Sequence, residues 1–108
     1  MSNLRTIIID DEKLARQELS FLLGHINTIE IVAQCSHANE AKEKIEHLKP
    51  DLIFLDIEMP EKNGFELLHE LKEIPYVIFV TAYDQFALKA FEENALDYLM
   101  KPTTLDRL

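Results

Sequence analysis

Glycine occurs only twice in these 108 residues, cysteine once, and basic side chains eleven times against twenty acidic ones. Each shortage excludes something. Two glycines leave no material for a flexible Gly/Ser linker. They also leave none for the Ser/Thr/Gly-rich loop with which a flavin-binding electron carrier cradles phosphate after its first strand. A lone Cys35 rules out an internal disulfide framework and suits a reducing cytoplasm. The formal net charge of -9 sets the segment against the phosphate backbone of DNA or RNA, so no direct nucleic-acid binding is expected of it. No apolar stretch approaches the roughly 20 residues needed to cross a bilayer, and no basic region followed by an apolar signal segment opens the chain. The expectation is a soluble, cytoplasmic protein without a membrane partner.

What the chain does have is 47% hydrophobic residues, enough for one core, so residues 1–108 are read as one domain. Short runs rich in Ile, Val, Leu and Phe alternate with longer stretches at helical spacing, the pattern of repeated β-α units around a parallel sheet. Five strands are expected: Leu4–Ile9, Ile29–Cys35, Asp51–Asp56, Tyr76–Thr81 and Ala95–Met100. The first helix, about Glu12 to Gly24, turns Ala15, Leu19, Leu22, Leu23 and Ile26 inward, and Gly24 suits its C-terminal end. The second, about Ala38 to Leu48, offers Ala41, Ile45 and Leu48 to the sheet and is stopped by Pro50. The third opens at Asn63-Gly64-Phe65-Glu66, an N-cap with an acidic residue three positions on, and runs through Leu67, Leu68 and Leu71. The fourth spans about Asp84 to Glu93. Thr103-Thr104-Leu105-Asp106 resembles a capping box opening a fifth helix that is truncated at Leu108.

Three carboxylates fall where apolar strands run out: Asp10 and Asp11 after the first strand, Asp56 after the third. An Asp-Asp pair is by itself most often a solvated strand end. Buried strands of an open α/β sheet, however, deliver side chains to one rim, where such folds place ligands. Like charges crowded there repel, and a divalent cation bound through oxygen would relieve the repulsion. Thr81 and Lys101 end the fourth and fifth strands, each ordinary taken singly. Together the five residues match what phosphoryl transfer requires: an oxygen nucleophile, a metal site, and fixed donors around a charge-rich transition state. Asp56 would be the nucleophile, Asp10 and Asp11 the metal site, Thr81 a hydroxyl donor and Lys101 an ammonium donor. Phe86 and Phe91 read as core or interface packing. His25, His37, His47 and His69 read as surface residues, and Cys35 as a small apolar residue with no reactivity.

The runs Ile9-Asp10-Asp11-Glu12, Leu55-Asp56-Ile57-Glu58-Met59-Pro60 with Asn63-Gly64, Val80-Thr81-Ala82 and Tyr98-Leu99-Met100-Lys101-Pro102 resemble a response-regulator receiver domain of two-component signalling. The stretch Tyr83 to Glu92 with Asn94 to Tyr98 further resembles receivers attached to LytTR-type (LytR/AlgR-like) DNA-binding domains. The resemblance implies a doubly wound, flavodoxin-like five-stranded parallel sheet of order 2-1-3-4-5. It implies that Asp56 takes a phosphoryl group from a sensor histidine kinase with Mg²⁺ held by Asp11, Asp56 and the main-chain carbonyl of Glu58, and by Asp10 directly or through water. Thr81 and Lys101 would then bond the phosphate oxygens. Tyr98 would turn inward with Thr81 and alter the face made by the fourth helix, fifth strand and fifth helix, a candidate dimer face, to control a C-terminal output domain absent from this chain. A cis bond before Pro102 is also implied, proline being the residue at which that isomer is accessible. Such a module assists its own phosphorylation and hydrolysis and has no external substrate. The competing enzyme reading is a phosphatase with an aspartyl nucleophile, Asp56 followed by Glu58. Against it, such hydrolases use Asp as the following acid, and 108 residues leave no space for a substrate-binding cap.

Overall fold

A computed structural model describes residues 3–103. Five strands, β1 (Leu4–Ile9), β2 (Ile29–Cys35), β3 (Leu52–Leu55), β4 (Tyr76–Thr81) and β5 (Asp97–Met100), alternate with four helices, α1 (Lys13–Leu23), α2 (Ala38–Leu48), α3 (Gly64–Glu70) and α4 (Ala87–Glu92). The strands form one parallel sheet in the order β2-β1-β3-β4-β5. This is the order expected of the doubly wound, flavodoxin-like arrangement.

Both sheet faces are covered, which is why the strands read as continuous apolar runs. Ile7, Ile9, Ile53, Leu55, Val77 and Phe79 face one side and pack with Ala41, Ile45, Phe65, Leu67 and Leu68 from α2 and α3. Ile8, Leu52, Phe54, Val80 and Leu99 face the other and meet Leu19 and Leu23 of α1. Successive strand residues alternate between the two cores, as the two-residue period requires. The α3 capping box forms in full: the Asn63 side chain accepts from Glu66 N–H and the Glu66 carboxylate accepts from Asn63 N–H, each at 2.9 Å.

Several sequence expectations change. The third strand loses its aspartate at each end, running Leu52–Leu55, and the fifth loses Ala95 and Leu96, starting at Asp97. The fourth helix is short, Ala87–Glu92 instead of Asp84–Glu93, because no side chain caps it and its N-cap is Phe86. Gly24 is the C-cap of α1 but keeps right-handed φ of -61°. The left-handed positions fall instead to Lys49, Glu61 and Asn94. Phe86 packs against the core, whereas Phe91 stands 80% exposed and is no core residue. All four histidines are exposed, and His37 caps α2 by accepting from Glu40 N–H. Cys35 is buried, and burial, reinforced by Glu40 against the opposing charges of Lys44 and Arg16, pushes its thiol up to about 12. The expected fifth helix lies outside the described residues.

Candidate functional site

The parallel register places the ends of β1 and β3 side by side, with Ile9 opposite Leu55. The next residue on each chain is an aspartate. Asp56 N–H donates to Ile9 C=O at 2.9 Å and Asp10 N–H to Cys35 C=O at 3.0 Å, so the sheet's hydrogen bonding continues to the carboxylates. Asp10 and Asp56 are each only 5% exposed, while Asp11 faces solvent. One carboxylate oxygen from each of Asp10, Asp11 and Asp56 lies within 4.8 Å of the other two.

Asp10 is fixed from two further directions. Its Oδ1 accepts from Glu12 N–H at 2.9 Å, and its main-chain carbonyl accepts from the Arg16 guanidinium at 2.7 Å. The loop after Asp56 is held by Gly64 N–H donating to Ile57 C=O at 2.9 Å. Gly64 is required there: a Cβ would stand 2.7 Å from the Asp56 carbonyl oxygen. Glu58 lies in this loop with its side chain exposed.

Lys101, at the end of β5, crosses to the acids. Its Nζ is 2.8 Å from Asp10 Oδ2, 3.1 Å from Glu12 Oε1 and 3.6 Å from Asp56 Oδ2. Its N–H donates to Thr81 C=O at 2.8 Å, which ties the ends of β4 and β5 together, and the Lys101–Pro102 bond is cis. Thr81 is fully buried, and its Oγ1 accepts from Tyr83 N–H at 3.4 Å. Tyr98 on β5 donates its hydroxyl to the Tyr83 carbonyl, with its ring 6.5 Å from that of Phe79. Thus Thr81 and Tyr98 grip the same residue from its two main-chain sides.

The electrostatics follow from the crowding. Burial first, then the charge of Asp10, pushes Asp56 up to about 7, with Lys101 opposing, Asp11 adding, and the Ile57 N–H lowering it. For Lys101, burial works against the ammonium, but the hydrogen bonds to Asp10 and Glu12 and the charges of Asp56 and Asp10 outweigh it and raise its pKa. The donor set fits a hard divalent cation: three carboxylates on one rim, Asp10 and Asp56 buried and Asp11 open to solvent, with burial and like charge pushing Asp56 up. All five candidates, Asp10, Asp11, Asp56, Thr81 and Lys101, meet at this rim, with Tyr98 one residue removed through Tyr83. Sequence reasoning gave no role to Glu12 or Tyr83. Only the adjacency of Glu12 to the acid pair and of Tyr83 to Thr81-Ala82 marked them.

The family model described as "Response regulator receiver domain" matches residues 6–108. Over 107 residues the chain is 53% identical to an uncharacterized response regulatory protein of Vibrio cholerae, covering 97% of this chain and 45% of that protein. It is 44% identical over 108 residues to the sensory transduction protein LytT of Bacillus anthracis, with 97% and 44% covered. It thus spans less than half the length of these curated relatives. Among solved structures, the response regulatory domain of mrkE from Klebsiella pneumoniae superposes with a TM-score of 0.87 at 36% identity, covering 96% of this chain and 88% of that one.

Proposed function

The chain belongs to the response regulator receiver domain family, and from that premise we propose that Asp56 accepts a phosphoryl group from the phosphohistidine of a sensor histidine kinase. The observation that carries the reading is the placement of Asp56: buried at the rim beside Asp10 and Asp11, with the Lys101 ammonium 3.6 Å from its Oδ2.

A carboxylate with a pKa of about 7 is half protonated in neutral solution and a poor nucleophile in that form. Mg²⁺, held by Asp10, Asp11, Asp56 and the main-chain carbonyl of Glu58, would supply the positive charge that keeps Asp56 ionised and neutralises phosphate oxygens. One Asp56 oxygen then bonds phosphorus as the phosphorus–nitrogen bond breaks and its electron pair returns to the kinase imidazole. Lys101 and Thr81 donate to the equatorial oxygens, their positions fixed in advance by the β4–β5 hydrogen bond. When the Thr81 hydroxyl turns to the phosphate, Tyr83 N–H loses its acceptor, and the hydrogen bond from Tyr98 to the same residue is put in play. That link carries the change to α4 and β5, where Leu88 and Phe91 stand exposed as a candidate dimer face.

A receiver of this kind is a cytoplasmic signalling switch that acts on itself and not on an external substrate. One relative is the transcriptional regulatory protein BtsR of Salmonella typhi, 47% identical over 107 residues with 45% of that protein covered. This supports control of transcription through a C-terminal, LytTR-type DNA-binding output domain.

Incubation with acetyl phosphate and Mg²⁺, followed by intact-mass measurement, tests the reading. One phosphoryl mass increment on the wild type and none on Asp56→Asn is expected; equal gain in both proteins would sink it. Sustained turnover of phosphomonoesters would favour the phosphatase instead.

A further inference from the structure

Lys101 has three ammonium hydrogens and three carboxylate neighbours: Asp10 Oδ2 at 2.8 Å, Glu12 Oε1 at 3.1 Å and Asp56 Oδ2 at 3.6 Å. Two of these have other work in the phosphoacceptor reading, Asp10 at the cation and Asp56 at phosphorus. Glu12 has none. Its side chain does not cap α1 although the residue is the N-cap, and it is 66% exposed; its one polar side-chain partner among the described residues is Lys101. Its main chain is anchored, the N–H donating to Asp10 Oδ1 at 2.9 Å, so the carboxylate is held within reach of the lysine by the same aspartate that binds it.

We propose that Glu12 is a positioning residue that holds Lys101 in the resting state and must release it before the ammonium can serve the phosphoryl group. The proposal rests on Asp56 being the phosphoacceptor and concerns how that site is restrained. A phosphoryl group on Asp56 presents acceptor oxygens beside Asp56 Oδ2, while Glu12 draws the ammonium toward α1. The ion pair stabilises the reactant and is lost in the transition state, where Lys101 faces phosphate, so it raises the barrier. Because Glu12 is mostly exposed the restraint is small: a pair of this kind is worth about two- to fivefold in rate. Glu12 thus sets a brake on phosphorylation, and the weakness of the pair keeps it releasable.

Two substitutions separate the contact from the charge. Glu12→Gln removes the charge and weakens the contact; Glu12→Asp keeps the charge one methylene short of Lys101. Both are expected to speed phosphorylation of Asp56 by acetyl phosphate about two- to fivefold over wild type. In metal-free, unphosphorylated protein labelled with ¹⁵N-lysine, both should shift the Lys101 ammonium resonance, a signal that general destabilisation of α1 would not single out. Wild-type rates in both variants, or an unmoved ammonium resonance, would overturn the proposal. Acceleration by Glu12→Gln alone would overturn it as well, because charge at the mouth of the site and not the contact would then be responsible. Failure of wild type itself to gain phosphoryl mass would instead overturn the phosphoacceptor reading on which the brake depends.

Discussion

At the amino ends of β1 and β3, the Arg5 guanidinium donates to the carbonyls of Leu48 and Lys49 at 2.5 and 3.2 Å, while Arg5 N–H donates to Asp51 Oδ2 at 2.8 Å. At the carboxyl ends of the same two strands, Asp10 and Asp56 meet with Asp11 and share one ammonium. The first end gives the Asp51 carboxylate a main-chain N–H and satisfies the last turn of α2, whose carbonyls have no partner within the helix, with a guanidinium. The second buries Asp56 and crowds it with like charge, which together push its carboxyl up to about 7. One end of the sheet secures the fold, and the other holds electrostatic tension that a cation or a phosphoryl group can relieve.

Removing the tension should stabilise the protein. Asp56→Asn is expected to raise metal-free stability above pH 7 by on the order of 2–4 kcal/mol, measured by urea unfolding, with Mg²⁺ narrowing the gap. The sign follows from the raised value: between the unfolded pKa of about 3.8 and the folded value of about 7 the native state binds more protons. The stability contributed by protonated Asp56 is therefore fully present below about pH 4 and is lost as pH rises toward 7. The wild-type curve should show this decline and the variant should lack it. An Asp56→Asn protein less stable than wild type at pH 8 would end the contrast between the two ends.

The opposite end should respond with the opposite sign. Arg5→Ala is expected to destabilise by about 1.5–3 kcal/mol, since hydrogen bonds from a charged donor to two carbonyls are lost. Phosphorylation kinetics per folded molecule should not change. Smaller still is the gain at Lys49, which closes α2 at φ of 49°, a left-handed conformation that glycine adopts without strain. Lys49→Gly should stabilise by about 0.5–1 kcal/mol, read as a rise in the midpoint of thermal unfolding.

The rim was legible in the sequence because it depends on strand ends, and strand ends follow from apolar runs buried on both faces. β1, β2 and β4 have the bounds expected from the sequence, and the order β2-β1-β3-β4-β5 brings the strand ends that carry Asp10, Asp56, Thr81 and Lys101 to one rim. What was not legible depends on contacts distant in the chain. Nothing near Glu12 says that its carboxylate meets a lysine 89 positions later. Phe86 and Phe91 read alike as core or interface packing, and nothing beside Phe91 in the chain says that it stands 80% exposed. A glycine at a helix end suggests a left-handed turn, yet Gly24 makes none, and Lys49, Glu61 and Asn94 carry positive φ with side chains that ordinarily disfavour it.

The chain contains three tyrosines and no tryptophan. Tyr76 stands 66% exposed at the start of β4, far along the strand from Thr81. The other two, Tyr83 and Tyr98, are joined by the hydrogen bond from the Tyr98 hydroxyl to the Tyr83 carbonyl. Two thirds of the near-ultraviolet chromophores that dominate the absorption of this protein therefore sit on one loop and the strand beside it. The molecule carries its own optical label at the residue held by both Thr81 and Tyr98, and its emission can follow that loop without an added dye.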